Sequence, residues 1–325
     1  MSKTPCCKKT SIGGQALIEG VMMRGPEKTA MAVRHTSGEI RTDEWANSKK
    51  KFIARIPIVR GVFNFVDSMI LGYKCLMKSA EMSGMEELED DPEKTEEQKE
   101  KDNRFMQKVM PIVMAVSGVL GVLLAVGLFI YLPTLFYDWI APMCGLPTDI
   151  PADHFGYNFL KAAITGVMKI VIFLIYMILV SQMKDIKRVF RYHGAEHKTI
   201  FCYEHGKELT VENVREESRF HPRCGTSFMI LMMVVGIAVS MFIPANMTSW
   251  VYTAIKILSL PLVMGIGYEL LKIAGRHDNW LTRAFSAPGK WMQRITTKEP
   301  TDDMIECAIT AFVAVMPEDK DADNW

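Results

Sequence analysis

Two histidines four residues apart stand in the run Tyr192-His193-Gly194-Ala195-Glu196-His197-Lys198, a spacing that puts both imidazoles on one helix face within reach of one metal ion. Glu196 follows His193 by three positions and shares that face. The order H-x-x-E-H is the inverted zincin arrangement, in which a carboxylate beside two imidazole ligands takes a proton from a water that the metal has acidified. A second run, His221-Pro222-Arg223-Cys224-Gly225-Thr226-Ser227, offers another imidazole three residues before a thiol. His193, His197, His221 and Cys224 would make a His₃Cys set for a divalent metal, with zinc the best match. Dropping either of the last two leaves an open position for water. Glu269, 76 residues after His193, competes as third ligand, because inverted zincins complete their site with a distant glutamate. Spacing alone leaves that choice open. Each residue also has an ordinary structural reading: Glu204 and His205 read as loop residues, and Cys202 as a small apolar filler.

These residues need a scaffold, and the composition says which kind. Hydrophobic residues make up 49% of the 325, with 24 methionines, which argues against a simple cytosolic globule. A formal charge of +1 gives no nucleic-acid signature, seven scattered cysteines give no disulfide framework, and the opening decapeptide has no apolar signal core. Val109–Tyr137 is an uncharged tract of 29 residues, well above the roughly 20 needed to cross a bilayer as a helix. A second apolar tract runs from Phe159 to Ser181. A third, from Cys224 to Tyr268, is too long for one crossing and is expected to split at Pro244. The expectation is an all-α polytopic membrane protein, a four-span helical bundle with a small cytosolic β-hairpin element and amphipathic helices.

Lys and Arg number 19 in residues 1–108 and nine in 184–223, but none in 132–158 or 244–249. Translocated loops lose such residues, so both termini and the His/Cys loop are expected on the cytosolic side. Lys169 and Lys256 fall inside spans. Each is expected about five or six residues from the outer end of its helix, from where the ammonium can snorkel to the interface.

Around the spans, residues 1–55 read as a β-containing region, with a hairpin over 28–45 about a Ser-Gly turn. The glycine-dense run Ser11–Pro26 matches no nucleotide-binding fingerprint. Glu19 and Arg24 within it are candidates for pairing or for pointing into the site. Residues 56–80 suit an interfacial or buried amphipathic helix, and 81–108, with 11 acidic residues from Glu81 onward, a charged linker. Spans 1 and 2 occupy 109–183, the His/Cys loop 184–227 and spans 3 and 4 228–271. Residues 272–325 hold amphipathic helices, one of them capped by Thr301.

Seven blocks carry a resemblance: residues 13–24, Pro57-Ile58-Val59-Arg60-Gly61, 192–199, Glu212-Asn213-Val214-Arg215, 221–228, Gly267-Tyr268-Glu269 and 293–300. In this order they resemble the YqhQ-like family of bacterial membrane proteins, a family without an established substrate whose members are described as predicted metal-dependent enzymes. The resemblance implies a shared cytosolic site built from the His and Cys blocks. The resulting expectation is a membrane-embedded, metal-dependent hydrolase with Glu196 as general base. It would act in contact with membrane lipid on a protein or lipid-linked substrate, and not on nucleic acid. The rivals are a metal-stabilised scaffold or assembly factor and a transporter using the two intramembrane lysines.

Overall fold

The computed structural model describes residues 9–47, 56–84, 109, 112–113, 115–145, 155–276, 279–318 and 322–323. The chain falls into two compact units, one of residues 1–88, 177–232 and 264–325, the other of 89–176 and 233–263. In the first, β1 (Gly13–Leu17), β2 (Gly20–Arg24), β3 (Lys28–Arg34) and β4 (Ile40–Ala46) form one antiparallel sheet in sequence order. The expected hairpin over 28–45 is the β3–β4 pair, with Arg34 opposite Ile40. The glycine-dense run before it is a second hairpin, β1–β2, turning tightly with Leu17 paired to Gly20 and with Glu19 at φ 54°.

Among the described residues the helices are α1 (Val59–Ser83), α2 (Ala115–Met143), α3 (Phe155–Val180), α4 (Lys184–Glu204) and α5 (Val211–Glu216). They continue with α6 (Gly225–Ser240), α7 (Ser249–Leu258), α8 (Leu260–Arg276), α9 (Trp280–Thr296) and α10 (Asp302–Val315). β2 and β3 are apolar without strict alternation because the sheet is covered on both faces. Val21, Met23, Ala30 and Ala32 pack with Tyr192 and Ala195 of α4 and with Ile305, Ala308 and Phe312 of α10. Met22, Met31, Val33 and Leu17 point the other way and meet Cys75 of α1. Thr301 precedes α10 in extended conformation as expected, but its backbone carbonyl, not its side chain, meets the first-turn amides of Met304 and Ile305. α1 is amphipathic in an unusual sense: Gly61, Gly72, Cys75 and Ser79 are buried, whereas Phe63, Val66, Ile70 and Tyr73 are exposed.

The four apolar tracts are helical, but they do not make four clear spans. α2 and α3 are each long and apolar enough to cross a membrane, and α7 with α8 would make a third span bent by 46°. α6 has 16 residues, about 24 Å at 1.5 Å per residue, short of roughly 30 Å of hydrocarbon. The protein is therefore mostly helical with a small four-stranded sheet and two to three candidate spans. The bend falls at Ser259, between α7 and α8, and Pro261 just beyond it lacks the amide that would continue the helical ladder. Residues 85–108 of the acidic stretch, and Asp149 and Asp153 of the expected outer loop, lie outside the described residues.

In the second unit, Lys161 is buried, its Nζ 2.8 Å from Asp138 Oδ1 and 3.1 Å from the Ala245 carbonyl. The other Asp138 oxygen accepts the Ser249 hydroxyl at 2.6 Å. Lys169 stands 14 residues into α3 and 11 before its end, about 21 and 16 Å from the two ends. The snorkelling expected of it fails, because neither end is within reach of a lysine stem.

Candidate metal centre

α4 lays His193, His197, Phe201 and Glu204 along one face at steps of four, four and three. The His193 Nδ1 lies 2.9 Å from the Thr296 carbonyl and the His197 Nδ1 2.6 Å from the Arg219 carbonyl. A carbonyl only accepts, so both Nδ1 atoms carry protons. In the neutral rings the Nε2 lone pairs are then free, the arrangement that orients metal-binding histidines. Packing enforces it: at Gly194 any Cβ would strike the Lys298 carbonyl, and the Lys298 amide donates to the Phe190 carbonyl at 2.9 Å, pressing residues 296–300 against α4.

The third group arrives from the start of α6. Cys224 occupies the cap position there, its carbonyl accepting the amides of Ser227 and Phe228 and its sulfur facing the Thr226 amide at 3.4 Å. The thiol thus stands where a helix N-terminus favours a thiolate. One ligand atom from each of His193, His197 and Cys224 lies within 4.8 Å of the others, with His193 Nε2 3.2 Å from the Cys224 sulfur. Burial alone would raise the Cys224 thiol, but the charges of His193 and His197 hold it well below its ordinary value. Burial would lower His193, and the Cys224 sulfur more than offsets this, holding the imidazole at about 9.

The set fits a divalent cation. A single thiol can share its proton with one imidazole; the other keeps an orphan, and the buried His197 Nε2 has no hydrogen-bond partner. A cation would satisfy all three atoms together, and thiolate with imidazole is the ligand chemistry of zinc. Glu196 is buried beside this cluster. Burial raises its carboxyl above the ordinary value, against the pull of His193 and His197, and it accepts the Gly14 amide from β1. Its Oε2 has no partner, and a Cβ on Gly14 would sit 2.9 Å from the Glu196 Cγ, so only glycine permits this approach.

The remaining candidates have other company. His221 has its ring centroid 5.6 Å from that of His197, but its Nδ1 accepts the Arg223 amide at 3.3 Å and its Nε2 faces Glu204 Oε2 at 3.5 Å. It is thus not grouped with His193, His197 and Cys224. Glu269 is bidentate with Arg60 and accepts the Ile58 amide at 3.3 Å. Glu19 and Arg24 are not paired with each other: Glu19 clamps the β1–β2 turn to Arg188 and Tyr192 of α4, and Arg24 binds Asp67 of α1 at 3.0 Å.

Residues 56–318 match the model of a family described as a protein of unknown function, DUF1385. The chain belongs to this family. It is 35% identical over 304 residues to the uncharacterized protein YqhQ of Bacillus subtilis (strain 168), covering 92% of this chain and 90% of that relative. No solved structure matches it. The family match includes His193, Glu196, His197 and Cys224, whereas the sheet that supplies Gly14 lies before it.

Glu204 was read in the sequence as a loop residue, yet it is the buried partner of His221 and Arg223 and accepts the Thr10 amide at 2.9 Å. Its signal was available: it follows His197 by seven residues, on the same helix face. Burial would raise its carboxyl, but the His221 hydrogen bond and the Arg223 charge leave it below the ordinary value.

Proposed function

We propose that this protein is a membrane-embedded, metal-dependent hydrolase whose site consists of His193, His197 and Cys224 holding a divalent metal, zinc by ligand type, with Glu196 as general base. One observation carries the reading: both imidazoles spend their Nδ1 protons on backbone carbonyls, leaving the Nε2 atoms to converge with the Cys224 sulfur. His193, His197 and Cys224 would hold the cation with one position left for water, and the cation would supply acidity to a water there. Glu196 takes the proton at Oε2, the oxygen without a partner, while the Gly14 amide holds the carboxylate's orientation. His193 and His197 stay in one tautomer throughout, fixed by Thr296 and Arg219. The reading further takes the protein as multi-pass with four membrane segments, α6 among them despite its length, and with the site and both termini cytosolic; the Lys- and Arg-rich flanks support that sidedness. A peptide or lipid-linked bond near the membrane surface is the substrate class.

Elemental analysis of the purified protein tests this. Wild type is expected to carry one metal per chain, His197→Ala none, and Glu196→Gln the wild-type amount. Loss of metal in Glu196→Gln would make Glu196 a fourth ligand, and the site a closed structural clip. That second reading has its own support, because Glu196, His197 and Cys224 are all buried.

A further inference from the structure

Asp138 is the only acid among the described residues of the second unit, which also holds Lys161, Lys169 and Lys256. Asp138 is already engaged by Lys161 and Ser249. Lys169 and Lys256 are therefore left without an acidic partner among the described residues, in helices of membrane-spanning composition, where an ammonium without a counter-charge is costly.

Geometry gathers these charges. Lys161, Thr165 and Lys169 follow one another at four-residue steps along one face of α3. Across from them on α7, the Lys256 Nζ reaches the Thr165 hydroxyl at 3.5 Å and lies 4.5 Å from the Tyr252 ring centroid, with the Lys161 Nζ 4.9 Å from the same centroid. The Thr165 hydroxyl already donates to the Lys161 carbonyl at 2.8 Å, so it positions Lys256 without neutralising it. Lys169 stands one turn beyond and repels Lys256 through space, with no hydrogen bond or ion pair of its own among the described residues. The buried hydroxyls of Tyr252 and Thr253, on the helix that carries Lys256, have no partner either.

We propose that Lys169 and Lys256 form a binding site for an oxyanion of the phosphate class within the membrane unit, carried by a phospholipid headgroup or free in solution. Two ammonium groups match the charge of a free phosphate dianion and more than balance that of a phosphodiester headgroup, and the unpartnered hydroxyls of Tyr252 and Thr253 supply neutral donors. The site is independent of the metal centre and survives if that centre proves empty.

Full-length protein in phosphatidylcholine nanodiscs tests this by thermal melting with two arms: added inorganic phosphate, or discs doped with phosphatidylglycerol. Wild type is expected to be stabilised in at least one arm. A response to phosphate alone identifies a free anion, and one to phosphatidylglycerol alone identifies a headgroup. Lys169→Met and Lys256→Met should each weaken the response by about thirtyfold in half-saturating concentration, the loss expected for a buried charge contact. Lys290→Met on the exposed face of α9 should leave it unchanged. Without anion, both methionine variants should melt no lower than wild type, since each removes an uncompensated charge. The proposal falls if wild type responds in neither arm, if the variants respond as wild type does, or if they melt lower without anion, which would show a counter-charge already in place.

Discussion

His197 and His221 have ring centroids 5.6 Å apart, and both are buried, yet they are electrostatically opposite. Around His221 the protein provides everything: an amide for Nδ1, a carboxylate for Nε2, and Arg223 to balance the carboxylate. Around His197 it provides a carbonyl for Nδ1 and then stops, leaving Nε2 facing a thiol that also meets His193. A closed polar network needs nothing from outside, whereas a cluster with an unpartnered imidazole nitrogen is one that a cation would complete. Burial and residue type do not separate the two histidines; the second bond of each ring does.

The largest expected effect breaks the open half. His197→Ala or Cys224→Ala should abolish metal binding, measured as one equivalent falling to none, while His221→Ala keeps the metal. Next comes the closed half. Glu204→Ala removes a buried carboxylate from Arg223 and His221 together and should cost about 3 kcal/mol in chemical denaturation with metal content unchanged. A smaller effect follows from protons. Burial, with the charges of His197 and Arg223, holds the His221 imidazole down at about 4 despite its bond to Glu204. The unfolded ring takes up its proton near pH 6.5, so stability is lost as pH falls from about 6.5 toward 4, by about 3 kcal/mol in all. Glu204, depressed in the fold, gives stability that is present above its unfolded value and is lost in the same direction. His221→Gln should flatten the upper part of that melting-temperature profile; an unchanged slope would show that His221 is not its source. The smallest effect sits at the rim, where Gln293 donates to the His221 carbonyl at 2.7 Å and the Ser227 hydroxyl at 3.1 Å. Gln293→Leu should cost about 1 kcal/mol and leave the metal bound.

Much of this was legible before any coordinates. The i, i+4 pair and the His-Pro-Arg-Cys run named three residues that converge, because helix periodicity fixes the relation between His193 and His197. Periodicity says nothing across 27 residues, so the choice between Cys224 and its rivals was not readable. It depended on Arg223 drawing Glu204 toward His221, and on Arg60 occupying Glu269. The β3–β4 hairpin showed in its turn residues, whereas β1 and β2 hid in a glycine-rich run whose role is to let backbone approach Glu196. The apolar tracts were visible as such, but span number was not: hydropathy does not reveal that α6 stops at 16 residues or that Pro261 bends its successor. Lys169 was placed too near the helix end: it stands ten residues beyond Phe159, where the apolar tract begins, and 14 beyond Phe155, where α3 begins.

Gly194 ties the timing of assembly to its geometry. The carbonyl that orients His193 belongs to Thr296, held down by the strap that only a bare α-carbon at 194 admits, and α10 begins just after that strap at Asp302. During synthesis the motif leaves the ribosome a hundred residues before its support does. A nascent or truncated chain ending short of residue 296 would display His193, His197 and Cys224 with one ring unsteered, so the proposed cation site would not be preformed until the 296–300 strap docks.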